Sequence, residues 1–221
     1  MRNSLITIFS VLFLDQLLKL WIKTSYALSS GNSVIGEWWI VKIQFIENPG
    51  MAFGWTLGEE GAIWGKILLS SFRIIAVILI GFYIRRLIRT KAHPFYIICI
   101  SLIFAGALGN IIDSAFYGIL FSESTFNNIS LFLPENGGYA PFMMGDVVDM
   151  IHLDFDWPSW MPFGLGGSEV FPPIFNISDS AISISVFFII LFYKRIVRDE
   201  DMQFFKNYKL QNLFKQNKKG K

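Results

Sequence analysis

The stretch "FYIICISLIFAGALGNII" (95–112) contains eighteen residues and no charged side chain. An apolar run of this length is long enough to cross the hydrocarbon core of a bilayer, which is about 30 Å thick. A helix is the expected conformation, because a helix satisfies its own backbone hydrogen bonds in lipid. The segment therefore predicts a membrane-spanning helix.

Three further segments have the same character and extend over about 5–22, 62–84 and 174–193. The whole chain is 53% hydrophobic, with a mean hydropathy of +0.47, which favours an integral membrane protein over a soluble domain. We therefore expect an α-helical membrane protein with four transmembrane helices. They would form one domain over 1–200, followed by a cationic cytoplasmic tail at 201–221. Because Asp15 interrupts the first apolar run, that run is interpreted as a retained signal anchor.

The Lys and Arg residues are concentrated on one side of the expected bilayer. Arg2 precedes the first helix, four basic residues lie at 85–91, and nine follow the fourth helix, which places fourteen of the nineteen on that side. The positive-inside rule makes this side cytoplasmic. Both termini are then cytoplasmic, and the segments 25–61 and 114–173 lie outside. Within the first of these, "GEWWIVKIQFIE" (36–47) is expected to form short strands.

Polar residues are expected to gather near the outer membrane surface, and the set comprises Asp15, Lys19, Asn48, Asn110, Asp113, Asp149 and Asp179. Asp15 and Lys19 are four residues apart on one helix face, where they can pair. A pair between Asp15 and Arg73 is the alternative, and it would leave Lys19 free for other contacts. Clustering at one face favours an enzyme, because a non-enzymatic carrier would place its ionisable residues near the midplane.

Asp149 and Asp179 are the candidate catalytic residues. Asp149 lies in "VVDMI", which is apolar on both sides and reads as a strand or a membrane-seated turn. If the two carboxyl groups face each other, they share one proton, because both cannot easily ionise in a low-dielectric site. The ionised group can then activate water while the protonated group polarises a carbonyl. The alternatives are an ordinary loop position for Asp149 and a helix cap for Asp179, helped by Asn176 and Ser178.

Other chemistries have weaker support in the sequence. Asp149 and His152 have metal-ligand spacing, but the chain has only two histidines, and a catalytic zinc normally needs three protein ligands. The glycines around Ser168 do not form a nucleophile elbow. Cys99 lies within an apolar run, which argues against a cysteine protease. No cofactor, metal or nucleic-acid partner is expected.

Five segments carry a resemblance to a known family: "DQLLK" (15–19), "NPGMAF" (48–53), "GALGNIID" (106–113), "GDVVDMI" (145–151) and "FNISDS" (175–180). Together, and in this order, they resemble the bacterial lipoprotein signal peptidases (signal peptidase II). Members of that family are aspartyl proteases of the inner membrane. The resemblance spans nearly the whole chain.

The resemblance implies that Asp149 and Asp179 form a catalytic dyad. It implies that the residues supporting the site are Asp15, Lys19, Asn48, Gly50, Asn110, Asp113 and Asn176. The implied substrate is a diacylglyceryl prolipoprotein, cleaved on the amino side of its lipidated cysteine. The implied architecture has four transmembrane helices, a small periplasmic β-cradle and a periplasmic helix or loop. A monomer in contact with membrane lipid, inhibited by globomycin-type peptides and active near the periplasmic face, is expected.

The chain departs from the family pattern at several points. Ser114 stands where the family usually has Arg, and Arg73 or Lys66 are possible substitutes for that charge. Ser178 replaces the usual Ala, and its hydroxyl is expected to hydrogen-bond the dyad. The segment 152–173 is an insertion rich in Trp and Phe, side chains that suit the headgroup layer of a membrane.

Overall fold

Four long helices form the body of the protein. The computed structural model describes residues 2–29, 33, 37–38, 40–49 and 63–201. The helices are α1 (Arg2–Ser25), α2 (Ile63–Arg89), α3 (Pro94–Ile112) and α5 (Ile177–Ile196). Each is long and apolar enough to cross a membrane, so the expected class, a multi-pass α-helical membrane protein, is confirmed. The third helix, α3, packs against the other three, and α1 also contacts α5.

The helix ends differ from the limits of the apolar runs. α2 extends to Arg89 rather than 84, because basic side chains in its last turn suit the negative end of the helix dipole. α3 continues beyond its expected end through a π-helical turn (Asp113–Tyr117) and α4 (Gly118–Leu120). The expected outer segment 114–173 therefore begins with helix. The last helix begins at Ile177 rather than 174 because Asn176 caps it.

A three-stranded antiparallel sheet lies at one end of the helical bundle. Its strands, in the order β1-β2-β3, are β1 (Glu37–Trp38), β2 (Val41–Asn48) and β3 (Val147–Leu153). The strands expected within 36–47 and in "VVDMI" are confirmed. The β2–β3 register shifts between Ile43 and Ile46, after which Ile46 lies opposite Asp149. We call this end of the bundle the sheet end, and the end with the α2–α3 turn the turn end.

Two apolar cores lie at the two ends of the bundle. The core at the sheet end comprises Ile22, Phe45, Tyr117, Phe121, Val148 and Met150. The core at the turn end comprises Tyr83, Ile84, Leu87, Ala92, Tyr96, Ile100 and Ile196. Many large apolar side chains of α1, α2 and α5 face outward, as expected for helices that contact lipid.

Glycines allow α3 and α5 to approach closely. A Cβ atom at Gly106 would overlap the carbonyl oxygen of Ser178, and one at Gly109 would overlap the Ser178 hydroxyl. This packing brings the first turn of α5 against the end of α3, as the small residues of "AGALG" predict.

Two expected features lie outside the described residues. Gly50 is one of them, and the cationic tail after Asp201 is another. The expected periplasmic helix or loop stays a prediction. Besides the four long helices and the extension of α3, the described part of the chain contains the helical residues 199–201 at its end.

Candidate active site

A fully buried ionic cluster connects α1 to the end of α3. The Lys19 Nζ atom lies 2.9 Å from Asp15 Oδ2 and 2.7 Å from Asp113 Oδ2, and all three side chains are inaccessible to solvent. Lys19 also donates a hydrogen bond of 2.9 Å to Asn110 Oδ1. The expected Asp15–Lys19 pair is confirmed. The alternative, in which Arg73 rather than Lys19 pairs with Asp15, is wrong, because Lys19 itself contacts both Asp15 and Asp113.

The carboxylates of this cluster also bind backbone amides next to the two candidate aspartates. Asp15 Oδ1 accepts from the Ser178 N–H at 2.9 Å, and Asp113 Oδ2 accepts from the Val148 N–H at 3.3 Å. Gln16 adds a donor to Asp113 Oδ1 at 2.8 Å. The two anchored amides each precede one candidate aspartate by a single residue. The cluster therefore fixes the backbone that carries both.

Asp179 belongs to the capping box of α5. The Asn176 side chain accepts from the Asp179 N–H at 2.9 Å, and the Asn176 N–H points at Asp179 Oδ2 at 3.4 Å. Asn110 donates to the other carboxylate oxygen of Asp179, Oδ1, at 2.8 Å. The capping alternative is thus correct in part, since Asp179 is the third helical residue of the box and Asn176 is the cap.

Asp149 is held on β3 by two side-chain amides. Asn48 donates to its Oδ2 at 3.0 Å, and Asn176 donates to its Oδ1 at 2.6 Å. Burial, followed by the negative charge of Asp179, raises the pKa of Asp149 to about 7, although the two amide donors act to lower it. Asn176 contacts both aspartates, so one side chain links them.

Both aspartates line one cavity of about 540 Å³. Its polar wall includes Asn48, Arg73, Asn110, Asp149 and Asp179. Its apolar wall includes Phe171 and Phe175 from the segment before α5, and Ile184 from α5 itself. A pair of carboxyl groups beside an apolar cleft can hold a water against an extended peptide and exclude bulk solvent from the reacting bond.

The residues that depart from the family pattern have different surroundings from those expected. Ser178 is fully buried and its hydroxyl has no hydrogen-bond partner among the described residues, which include both aspartates, so the expectation that it bonds the dyad is wrong. Its hydroxyl instead faces Gly109. Lys66 pairs with Asp146 at 2.6 Å. Of the two possible substitutes for the missing Arg, Arg73 is the one that lines the cavity.

A second buried cluster was not predicted from the sequence. Lys23 contacts Glu47 and donates a 3.0 Å hydrogen bond to Ser124, joining α1 to β2 and to the chain after α4. Burial raises the pKa of Glu47. The sequence did contain a signal, because Lys23 is four residues after Lys19 and continues the polar face that begins at Asp15.

The described residues offer few side chains that could bind a metal ion together. Among residues 2–29, 40–49 and 63–201, no group of three or more His, Cys, Asp or Glu side chains is placed to hold one. His152 is buried and lies 3.7 Å from Glu169, on the segment that follows β3.

The insertion at 152–173 forms a folded-back loop. The Trp157 N–H donates to the Ser168 carbonyl oxygen at 2.9 Å, and the Gly167 N–H donates to the Trp157 carbonyl oxygen at 3.0 Å, so the two sides of the loop are joined. At its tip, Trp160 and Phe163 are 77% and 95% exposed, which makes them the most accessible aromatic side chains described. Insertion of this tip into the headgroup layer stays a prediction.

Comparisons with known proteins agree with this architecture. A family model described as signal peptidase (SPase) II matches residues 7–195. The chain is 42% identical over 193 residues to a lipoprotein signal peptidase from Porphyromonas gingivalis, covering 85% of this chain and 80% of that protein. It is 34% identical to a lipoprotein signal peptidase from Amoebophilus asiaticus, covering 80% and 72%. A solved structure of a bacterial membrane enzyme has a TM-score of 0.55 and 26% identity, over 88% of this chain and 89% of that one.

Proposed function

Because the chain belongs to the signal peptidase II family, and is therefore a lipoprotein signal peptidase, we propose that Asp149 and Asp179 are its catalytic dyad. The observation that carries this proposal is their common environment. Both carboxyl groups line one cavity, and the Asn176 side chain bonds to Asp149 while capping the helix of Asp179.

In the proposed mechanism, Asp149 carries the proton that the pair shares before substrate binds. Its burial and its pKa of about 7 support this assignment. Asp179 then takes a proton from a bound water, and the water oxygen attacks the scissile carbonyl carbon. The Asp149 hydroxyl donates a hydrogen bond to the carbonyl oxygen as that oxygen gains negative charge. When the tetrahedral intermediate collapses, the C–N bond breaks and the leaving nitrogen takes the proton from Asp179.

The supporting residues have two roles in this proposal. Asn48, Asn110 and Asn176 orient the two carboxyl groups through the amide contacts described above. Asp15, Lys19 and Asp113 act through the backbone, because their cluster anchors the amides that precede each aspartate. Gly50 retains its expected supporting role as part of the proposal.

The proposed substrate is a prolipoprotein with a diacylglyceryl cysteine, cleaved on the amino side of that cysteine. Apolar side chains along one wall of the cavity suit a lipidated peptide, and Arg73 supplies the positive charge that Ser114 does not. We further propose that residues 1–200 are one peptidase domain in the bacterial inner membrane. The enzyme would be a monomer with cytoplasmic termini and a periplasmic active site, and globomycin-type peptides would occupy the same cavity.

The test is cleavage of a purified diacylglyceryl prolipoprotein in detergent, with the wild type assayed both without and with a chelator and the variants assayed with it. Asp149→Asn and Asp179→Asn should each abolish cleavage, while Asp156→Asn, an exposed carboxylate on the 152–173 loop, should cleave like the wild type. Substantial turnover by Asp149→Asn or Asp179→Asn would remove that residue from the dyad. Loss of wild-type cleavage on chelation alone would refute the metal-free mechanism.

A further inference from the structure

A groove lies between helices at the turn end of the bundle, far from the sheet and its aspartates. It has a volume of about 560 Å³ and is lined by side chains of three helices. Ser4, Leu5 and Ile8 of α1 form one wall, Ile84 and Ile88 of α2 form the other, and Phe104 of α3 lies between them. The volume falls within the range of about 300–1,000 Å³ that is usual for small-molecule sites.

Two guanidinium groups stand at one end of this apolar groove. Arg85 and Arg89 are four residues apart on α2, and both line the groove. Both are exposed, and within the described residues neither is engaged in a hydrogen bond or an ion pair. The described lining contains no carboxylate. By contrast, the nearby Arg86 donates to the Glu200 carbonyl oxygen at 3.1 Å.

This combination of a cationic rim and an apolar channel matches one class of ligand. The lining of α2 extends from Gly81 to Arg89, a rise of roughly 12 Å along the helix. A phosphodiester can bind a pair of guanidinium groups while an acyl chain follows the groove toward Gly81. We propose that this groove is a binding site for one anionic phospholipid of the surrounding membrane.

Charge complementarity distinguishes this occupant from the remainder of the chain. The residues after Asp201 include six lysines and no acidic residue. A segment of that charge is repelled by Arg85 and Arg89, whereas a phosphodiester is attracted by them. The positive-inside expectation also assigns this end of the bundle to the leaflet that carries anionic lipid.

Native mass spectrometry of the purified full-length protein, titrated with phosphatidylglycerol or phosphatidylcholine, tests the proposal. The wild type should retain one phosphatidylglycerol at least tenfold more tightly than phosphatidylcholine. Arg85→Gln/Arg89→Gln should weaken phosphatidylglycerol binding about 25-fold, since each arginine near an anionic headgroup contributes about fivefold. Lys194→Gln/Arg195→Gln removes the same charge from the exposed last turn of α5, outside the groove, and should bind within about twofold of the wild type.

Three outcomes would overturn the proposal. Equal retention of the two lipids by the wild type would show that the guanidinium groups do not select an anion. Equal weakening by the two double variants would assign the effect to general surface charge. Displacement of the lipid by a hundredfold excess of inorganic phosphate would mean that the arginines bind a free anion and that the groove holds no acyl chain. The lipid comparison needs no variant, so a folding defect cannot mask it.

Discussion

Replacing Lys19 by Met should destabilise the protein severely, and the structure allows the size of the effect to be worked out. The substitution leaves Asp15 and Asp113 facing each other in a site that solvent does not reach. Removing one partner of a buried ion pair costs about 3–5 kcal/mol, and two carboxylates lose their cation here, so we expect about 5 kcal/mol. For a domain of this size, that corresponds to a fall in Tm of about 10–20 °C.

The assay is thermal unfolding in detergent, followed by tryptophan fluorescence, with Lys42→Met as the matched control. Lys42 pairs with Asp154 at 2.5 Å, but the two side chains are 23% and 33% exposed. Such a pair contributes about 0–1 kcal/mol, so the control should lose no more than about 4 °C.

A triple variant separates buried charge from lost packing. Lys19→Met/Asp15→Asn/Asp113→Asn removes every charge of the cluster and keeps amide oxygens that can accept from the Ser178 and Val148 N–H groups. It should recover at least half of the loss in Tm. A single variant that unfolds within about 4 °C of the wild type, or a triple variant that is no more stable than the single one, would refute the reasoning.

Four further predictions concern packing, the pH dependence of cleavage and of stability, and the membrane. Gly106→Ala should reduce yield and Tm strongly, because the added Cβ would overlap the Ser178 carbonyl oxygen. Gly81→Ala is the control and should have a mild effect, because its Cβ would meet only the Phe104 ring, at 3.3 Å. Equal Tm values for the two variants would contradict this reasoning. The cleavage rate should fall as pH rises through about 7, where Asp149 loses its proton. Asn48→Ala should move this fall to higher pH, because it removes a hydrogen-bond donor that lowers the pKa of Asp149. Folding stability should also fall with rising pH. Because the pKa of Asp149 is raised in the folded state, its protonated form contributes stability at acid pH, and this contribution is lost as pH rises through about 7. If Asp149→Asn leaves the pH dependence of the unfolding free energy unchanged, this prediction is contradicted. Trp160→Ser/Phe163→Ser should raise KM for a lipidated substrate in vesicles and leave kcat nearly unchanged, and an unchanged KM would mean that the exposed loop tip does not contact the membrane or the substrate.

The sequence predicted the helices well because membrane solvation imposes a simple rule. Eighteen uncharged residues can only be accommodated as a helix in lipid, so 95–112 was recognised from composition alone. The extension of α3 to Leu120 was missed, because it contains Asp113 and Ser114, and their burial depends on Lys19 and on the sheet. Hydropathy is read from one segment at a time, so it contains no information about side chains that other segments contribute to neutralise a buried charge.

The sequence predicts which residues form the candidate site, but it does not predict the contacts between them. Asp15 and Lys19 were paired correctly from their spacing on one helix. The involvement of Asp113 in the same pair requires α1 and α3 to pack side by side, which no local pattern specifies. Ser178 was misjudged for the same reason. Its hydroxyl is directed at Gly109 by helix packing, whereas its backbone N–H makes the contact to Asp15 that matters for the site.

The role of Lys23 and Glu47 also depends on tertiary structure. Glu47 is adjacent to Asn48 on β2, so the buried contact between Lys23 and Glu47 fixes the strand that supplies one of the two amide donors to Asp149. From the sequence, Glu47 is the last residue of the segment 36–47, which is expected to form short strands, and no local pattern indicates that its carboxylate is buried. Its burial follows only when β2 packs against α1 and the chain near Ser124.

The most direct test of the central claim is a double-mutant cycle on cleavage of the diacylglyceryl prolipoprotein. The rates to be compared are those of the wild type, Asp149→Asn, Asp179→Asn and the double variant, each verified as folded by its thermal unfolding. If the two carboxyl groups share one proton and activate one water, each single variant should lose at least about a thousandfold in kcat, and the double variant should lose no more than either single one. Either single variant within tenfold of the wild-type rate, or single losses that multiply in the double variant, would contradict a dyad that acts as one unit.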